Sequence, residues 1–220
     1  KAEPRFAIAW NNDAIVLKDM QRIQEALHGF EQALALQPDF PEAVWNKSLA
    51  LLLSGDLRAG FELYESRWKA EKTGLKLPPM NAPLWLGEQD VSGRTVLVHS
   101  EQGLGDTIQF CRYVPMLKAL GAQVVLVVPQ PLLSLMRQLG ADQVIEAGQT
   151  LPLYDFHCPM MSLALAFKTD LDSIPMAQGY LRADPIKSEA WRQRLKATGR
   201  PKVGLVWNGG FRADNPDLWS

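Results

Sequence analysis

Residues 93–110, Gly-Arg-Thr-Val-Leu-Val-His-Ser-Glu-Gln-Gly-Leu-Gly-Asp-Thr-Ile-Gln-Phe, pass from a β-branched run through a glycine loop into a helical stretch. Thr95–His99 predicts a short strand, and residues 107–120 predict a helix that Gly121 ends. The continuous apolar run at residues 123–128 is typical of a strand buried on both faces of a parallel sheet. Strand, loop, helix and parallel strand together form one α/β unit.

The same alternation continues along the chain. At least five strands, mostly separated by helices, indicate an open α/β sheet. Pro115 lies near the middle of the first helix and is expected to kink it, because proline removes the donor to the carbonyl of Cys111. The remaining predicted elements are helices at 131–139 and 187–196 and strands at 143–145, 153–157 and 202–207.

A repeat precedes the α/β unit. Pro4 and Pro38 are 34 residues apart, and so are Phe6 and Phe40, which matches the tetratricopeptide period of roughly 34 residues. Residues 7–40 resemble such a repeat, with Trp10 leading its first helix. The second-helix pattern A-x3-F-x2-A-x4-P is carried by Ala26, Phe30, Ala33 and Pro38.

A second helical unit at residues 41–70 keeps nearly the same spacing. Gly60 stands where alanine is usual, and such small residues let paired helices approach closely. Gly55-Asp56 is typical of a turn between helices. Neither an Arg or Lys clamp nor a ladder of Asn side chains stands out on the first helices. The repeats are therefore expected to serve as a partner-binding surface or as a spacer, with no ligand residue assigned.

Composition and charge narrow the possible partners. The 220 residues carry 23 Lys and Arg against 24 Asp and Glu, so there is no basic field for nucleic acid. No apolar run approaches the roughly 18 residues that span a bilayer. Cys111 and Cys158 show no disulfide or zinc-binding spacing, and we expect a protein of the reducing cytoplasm.

The glycine loop lies where ligands bind in open α/β sheets, beyond the carboxyl end of a strand and at a helix start. A dinucleotide site is disfavoured, because no third glycine and no acidic residue after the second strand are present. A P-loop is excluded, because Gly105 is followed by Asp106 instead of Lys. A sugar nucleotide or sugar phosphate fits this location.

The sequence allows two roles for Asp106. A carboxylate at a helix start is stabilised by backbone N–H groups, so Asp106 is expected to act as an N-cap. The same carboxylate could serve as a general base that deprotonates an acceptor hydroxyl held at the loop. One residue can perform both roles.

The sequence of residues 93–110 is similar to the opening of bacterial proteins that join tetratricopeptide repeats to a GT-B glycosyltransferase domain. It also resembles the glycine-aspartate opening of the heptosyltransferases, glycosyltransferase family 9, and the similarity extends from Gly93 to the end of the chain. This resemblance implies that Asp106 is the catalytic base and that no metal or other cofactor is needed. The expected acceptor-site residues are Gln102, Gly103, Leu104, Gly105, Thr107 and His157.

The resemblance also implies two Rossmann-like domains, with the nucleotide-sugar donor bound mainly by the second. Lys202–Trp207 looks like the first strand of that second domain, and Asn208-Gly209-Gly210 is the expected donor-phosphate loop. We therefore expect a longer natural protein, and a 220-residue chain that is inactive by itself. The expected α + α/β multidomain organisation is helical repeats at 1–72 (7–40 and 41–70, after the tail of an earlier repeat at 1–6), a linker at 73–93, a Rossmann-like domain at 94–200 and the start of the second at 201–220.

Two functions remain open at this point. The first is transfer of a sugar from a nucleotide-sugar donor to a sugar or protein acceptor, with the repeats binding a partner or the acceptor. The second is a non-catalytic interaction protein, in which the repeats bind a partner protein and the α/β part is a scaffold.

Overall fold

The computed structural model describes residues 4–175, 179–195 and 202–205. A helical unit comes first and a parallel α/β sheet follows, as the sequence predicts. Among the described residues, no helix combines the length and apolar character needed to cross a bilayer. The helices of the first unit are α1 (Pro4–Asp19), α2 (Ile23–Leu36), α3 (Pro41–Ser54) and α4 (Leu57–Tyr64).

Small residues bring these helices into close contact. A Cβ atom on Gly29 would lie 2.9 Å from the Cβ of Ala14, so α1 and α2 cross where neither can carry a larger side chain. A Cβ on Gly60 would lie 2.6 Å from a methyl carbon of Leu52, which brings α3 and α4 together in the same way. The turn between α3 and α4 follows the sequence prediction. Gly55 ends α3 at φ 90°, and the Asp56 carboxylate accepts the Ala59 N–H at 3.2 Å.

The end of the helical unit and the linker that follows it dock on the sheet. Two short 3-10 turns, Glu65–Trp68 and Glu71–Thr73, follow α4, and Leu84 then pairs in parallel with His157. The backbone N–H of Trp85 donates to the His157 carbonyl at 2.8 Å. Trp85 is only 1% exposed and belongs to the main core, so this stretch packs as an apolar plug and not as a surface turn.

Four parallel strands form the sheet of the described residues. They are ordered β3-β2-β1-β4, so the chain adds strands on one side of β1 and then crosses to the other side. This reversal makes the boundary between β1 and β4 the topological switch point of the sheet. The strands are β1 (Thr95–His99), β2 (Gln123–Val128), β3 (Gln143–Glu146) and β4 (Phe156–Pro159).

Two predicted helices of the sheet unit are divided into shorter elements, whereas the one expected at 187–196 keeps its length and begins two residues earlier. The single kinked helix expected at residues 107–120 is instead α5 (Leu104–Phe110), a 3-10 turn at Cys111–Tyr113, and α6 (Val114–Ala119). Pro115 lies in the first turn of α6, where its missing N–H is tolerated, so proline divides the helix and does not merely bend it. Gly121 follows α6 at φ 83° and ends it as predicted. The remaining helices are α7 (Leu133–Met136), between 3-10 turns at 130–132 and 137–139, α8 (Leu163–Ala166) and α9 (Pro185–Arg194).

Two strand predictions need correction. The strand expected at residues 153–157 begins at Phe156 and ends at Pro159, because Leu153 stands 96% exposed in the preceding loop. Residues 202–205, expected to be part of a fifth strand, have no regular structure, and residues 206 and 207 lie outside the described part of the chain.

The two faces of the sheet are covered differently. Val98, Leu126 and Cys158 belong to the main core, which also holds residues of α5, α6 and α8 and the plug residue Trp85. The opposite face carries the smaller cluster of Leu97, Val125 and Val127, against which Met80, Leu151 and Tyr154 pack. The helical unit joins the main core through Tyr64 and through Phe61, whose ring meets that of Phe110 edge-on at 6.0 Å. The end of the helical unit therefore shares the main core, whereas α1 and α2 pack around a separate apolar cluster that includes Ala14, Ala26 and Phe30.

We expect Gly87→Ala to destabilise the fold strongly. Gly87 has φ 96°, and an added Cβ would lie 2.2 Å from the carbonyl oxygen of Ala166 in α8. The left-handed backbone costs roughly 1 kcal/mol for alanine and the clash about 2 kcal/mol more. The matched control is Gly93→Ala, which has φ 70° but no neighbour within 4 Å and should lose only about 1 kcal/mol. Urea unfolding of both variants measures the difference, and equal losses would contradict the close approach of Gly87 to α8.

Candidate functional site

The glycine loop leaves the carboxyl end of β1 beside the switch point. The turn after β4, Met160–Ser162, lies next to it, because the N–H of Met161 donates to a carboxylate oxygen of Glu101 at 3.1 Å. Residues that follow two different strands are thus brought together at one edge of the sheet. This is the edge where open α/β sheets bind their ligands.

Asp106 is the third residue of α5, and Gly103 is the N-cap residue. The N–H of Gly103 donates to Oδ2 of Asp106 at 2.9 Å, which closes the side-chain half of a capping box. Asp106 therefore accepts the N–H of the N-cap residue from the first turn of the helix, and Asp106 is not itself the N-cap. Its side chain is half-buried. The second carboxylate oxygen is not used in this hydrogen bond.

The glycines leave the loop open. Gly103 and Gly105 are exposed, and a Cβ on Gly105 would meet no atom within 4 Å. Leu104 is 45% exposed beside them. Thr107 differs, because it is 1% exposed and its hydroxyl donates to the Gly103 carbonyl at 3.2 Å. Thr107 thus holds the loop from its buried side, while the accessible surface of the loop is formed by Gly103, Leu104 and Gly105.

Gln102 has an unusual backbone. Its φ is 57°, in the left-handed region that non-glycine residues seldom adopt. Its side-chain N–H donates to the hydroxyl of Tyr64, at the end of α4, at 2.9 Å. The strained residue of the loop is thus in contact with the helical unit.

A fully buried arginine from the helical unit lies under the loop. Arg67 is 0% exposed, and its Nε and Nη2 atoms donate to the two carboxylate oxygens of Glu101, both at 2.9 Å. Its Nη1 donates to Glu65 at 2.7 Å, and its Nη2 also donates to the Ser162 hydroxyl at 2.8 Å. With the bond to the Tyr64 carbonyl at 3.2 Å, all five N–H donors of the guanidinium have acceptors.

Charge and aromatic contacts complete this ion cluster, which we define as Arg67, Glu65, Glu101 and Ser162. Burial works against the charge of Arg67, but pairing with the two carboxylates raises its pKa overall, so the guanidinium stays charged. Burial raises the pKa of the Glu101 carboxyl, and the hydrogen bonds from Arg67 oppose that change. The guanidinium carbon lies 4.2 Å from the ring centre of Trp68, which adds a cation–π contact.

His157 does not line the exposed loop. It is 4% exposed on β4, and its Nδ1 lies 3.4 Å from Nε2 of His99, which is 6% exposed. The two rings stack with centres 5.6 Å apart. Burial, together with the neighbouring His157, lowers the pKa of His99 to about 4, and burial lowers the pKa of His157. The pair is neutral at pH 7, and the ring of His157 is closed to an acceptor.

The sequence analysis missed several residues that join the elements. Arg67 and Glu65 stand in the stretch Tyr-Glu-Ser-Arg-Trp, residues 64–68, whose alternation of aromatic and charged side chains is the one local signal. An asparagine contact between first helices was also missed. The side-chain N–H of Asn46 donates to Asn11 at 3.1 Å, and these residues are 7% and 1% exposed. Both asparagines lie at the interface of α1 and α3, so they stabilise the packing of these two helices.

Two cavities lined by described residues lie away from the loop. One of about 720 Å³ is bounded by α4, the segment 86–88 and the end of α8, and no residue from Gln102 to Thr107 lines it. Another of about 400 Å³ lies between α1 and α2, with Trp10 and His28 on its walls. The predicted donor-loop residues Asn208, Gly209 and Gly210 lie outside the described residues. Within the described ranges, no three His, Cys, Asp or Glu side chains are grouped so as to hold a metal ion.

Comparison with known proteins finds a distant relationship. No protein-family model matches the chain. It is 26% identical over 228 residues to Protein FlbA of Caulobacter vibrioides, a match that covers 93% of this chain and 38% of that protein. The chain thus spans 38% of the length of this curated relative. The name FlbA states no activity, so function is inferred from the chemistry of the site.

We expect Arg67→Ala to cost about 3–5 kcal/mol of unfolding free energy, because it leaves the buried carboxylate of Glu101 without its partner. The matched control is Arg58→Ala. Arg58 also joins the helical unit to the sheet unit, but its pair with Asp170, at 3.3 Å, is largely exposed. Exposed pairs contribute about 0.5 kcal/mol. Chemical denaturation of both variants measures the change in unfolding free energy. A loss for Arg67→Ala as small as that of the control would contradict a stabilising role of the buried ion cluster.

We expect the buried histidine pair to make the fold sensitive to acid. His99 is neutral when folded and takes up a proton on unfolding, so its contribution is complete above about pH 6.5 and is lost as the pH falls towards about 4. The free energy of unfolding should fall by about 2 kcal/mol between pH 7 and pH 5. Urea unfolding at the two pH values measures it. The variant His99→Asn, which does not titrate, should show a drop smaller by that amount, and an equal drop in both proteins would contradict the prediction.

Proposed function

We propose that the chain contains the acceptor-binding half of a GT-B-type glycosyltransferase, with Asp106 as the general base. The observation that carries this proposal is the placement of a half-buried carboxylate in an open glycine loop, at the carboxyl end of β1 and beside the switch point. The similarity of residues 93–110 to the heptosyltransferase opening supports the assignment of this carboxylate to acceptor activation.

The hydrogen bond from Gly103 gives the two oxygens of Asp106 different tasks. Oδ2 accepts the backbone N–H, which fixes the orientation of the carboxylate. Oδ1 then receives the proton of an acceptor hydroxyl that lies over Gly105, where no protein atom competes for the space. The deprotonated oxygen forms a bond to the anomeric carbon of a nucleotide sugar, and the bond to the nucleoside diphosphate breaks.

The donor belongs to the second half of this proposed enzyme. The loop Asn208-Gly209-Gly210 is assigned to the donor phosphates on the basis of sequence. We propose that the departing diphosphate is stabilised by helix starts and basic groups, without a metal. The helical unit, which we assign to the tetratricopeptide class, holds the acceptor or a partner protein. Cys111 and Cys158 are free and buried, which fits the reducing cytoplasm.

The rival proposal is an interaction protein without catalysis. It is favoured by the cavity of about 400 Å³ between α1 and α2, which combines Trp10 and Leu17 with the carboxylate of Asp13. Such a lining suits a peptide that carries an apolar and a basic side chain. Under this proposal the glycine loop is a structural turn and Asp106 is only a cap.

We expect Asp106→Asn to abolish sugar transfer by the intact protein while leaving the fold in place. The asparagine carbonyl can still accept the Gly103 N–H, but it cannot take up a proton. Loss of a general base lowers kcat by about 100- to 10,000-fold. The matched control is Asp56→Asn, which alters another helix-capping carboxylate, that of α4, and should retain transfer.

A binding measurement separates the two proposals. Nucleoside diphosphates at saturating concentration should raise the melting temperature of the intact enzyme, in both the wild-type and the Asp106→Asn forms, because the donor site does not include Asp106. Transfer that survives Asp106→Asn would remove the assigned base. The absence of both stabilisation and transfer would favour the interaction protein.

A further inference from the structure

We propose that the helical unit positions the catalytic loop, through Tyr64 and Arg67 acting on Gln102 and Glu101. This inference rests on the proposed function of Asp106 and adds the regulation of that site. Tyr64 and Arg67 are positioning residues, since neither contacts the carboxylate of Asp106 in the described structure. The proposal follows a series of contacts from the end of α4 to the Asp106 carboxylate.

The first link holds Glu101. Two parallel hydrogen bonds from Arg67, both at 2.9 Å, fix the orientation of its carboxylate, and the N–H of Met161 adds a third bond at 3.1 Å. Arg67 cannot shift to follow the loop, because Glu65 and Ser162 hold its other donors. The residue that precedes Gln102 is therefore anchored to the helical unit.

The second link holds Gln102 in its left-handed conformation. A backbone φ of 57° is unfavourable for a non-glycine residue, so this conformation needs support from its surroundings. The Gln102 backbone is on the surface, and its side chain donates to the Tyr64 hydroxyl at 2.9 Å. Tyr64 is itself 6% exposed and belongs to the main core, so its hydroxyl is a fixed point.

The third link joins Gln102 to the base. The backbone dihedrals of Gln102 orient the peptide plane between residues 102 and 103, which carries the Gly103 N–H. That N–H is the donor to Oδ2 of Asp106 at 2.9 Å. If Gln102 relaxed to a negative φ, this N–H would turn away, and the carboxylate would lose the contact that orients it. The conformation of the helical unit is thus transmitted to the proposed base over a few residues.

This series of contacts makes the helical unit a required part of the acceptor site. A partner or acceptor that displaces Tyr64 and the turn Glu65–Trp68 would release Gln102 and Glu101 and disorient Asp106. One that leaves the turn in place would keep the base ready. The helical unit accordingly controls when the loop is competent, in addition to any binding surface that it offers.

Amide hydrogen exchange of Gly103 in the intact protein tests the coupling without any substrate. In Tyr64→Phe, which removes the hydroxyl but keeps the ring, exchange at Gly103 should accelerate about fivefold, as expected for the loss of one hydrogen bond. The control Tyr154→Phe loses a hydroxyl that accepts the Asn81 N–H elsewhere and should leave Gly103 exchange unchanged. Unchanged exchange in Tyr64→Phe would overturn the proposal.

A second background separates positioning from general stability. Gln102→Gly adopts a positive φ without strain, so adding Tyr64→Phe to it should alter Gly103 exchange by less than about twofold. Equal acceleration in both backgrounds would show that Tyr64 acts only on overall stability and would overturn the proposal.

Kinetics supply a readout that belongs to the site. Tyr64→Phe should lower kcat for transfer about fivefold and leave the KM for the nucleotide sugar unchanged, since only the base is displaced. A changed donor KM with unchanged kcat would contradict the positioning role. If Asp106→Asn retains transfer, the proposed function fails, and the exchange experiment still decides whether the helical unit sets the loop.

Discussion

The burial of one guanidinium group between two structural units constrains much of this molecule. A charged side chain that leaves water must find partners for its charge and for every donor, and Arg67 finds five acceptors at 0% exposure. Those acceptors come from the end of α4, from the loop after β1 and from the turn after β4. Few relative positions of the two units can satisfy all of them. The ion cluster therefore sets the docking of the helical unit on the sheet, while the shared apolar core supplies most of the driving force.

The location of this cluster has a functional consequence. In open α/β sheets, the space beyond the strand ends at the switch point is where ligands bind. Here part of that space is filled by Arg67 and the carboxylate of Glu101, and the open part begins one residue later, at Gln102. A candidate acceptor is thereby directed to the outer side of the loop, over Gly103, Leu104 and Gly105. The helical unit forms the inner wall of the site that we propose.

One face of the sheet is covered by helices, and the other, which carries both an apolar cluster and two histidines, is covered by loops. Val98 and Cys158 face the helices, whereas His99 and His157 share the face covered by the loops at residues 77–84 and 147–155. A stacked neutral pair in this position needs no counterion at pH 7 and so fits beneath apolar loops. The same burial couples the fold to pH, because folded imidazoles resist protonation. Stability and the geometry near the strand ends are thus connected.

The sequence alone determined the elements that depend on local pattern. Thr95–His99 and Gln123–Val128 were predicted as strands because β-branched runs between glycines have that preference, and small residues marked the helix crossings. The glycine loop and Asp106 were also found in this way. The strand order, the division of the helix at Pro115 and the ion cluster were decided only by the tertiary structure. Arg67 pairs with Glu101 and Ser162, which are 34 and 95 residues away along the chain. A local sequence pattern does not show which distant group will neutralise a buried charge.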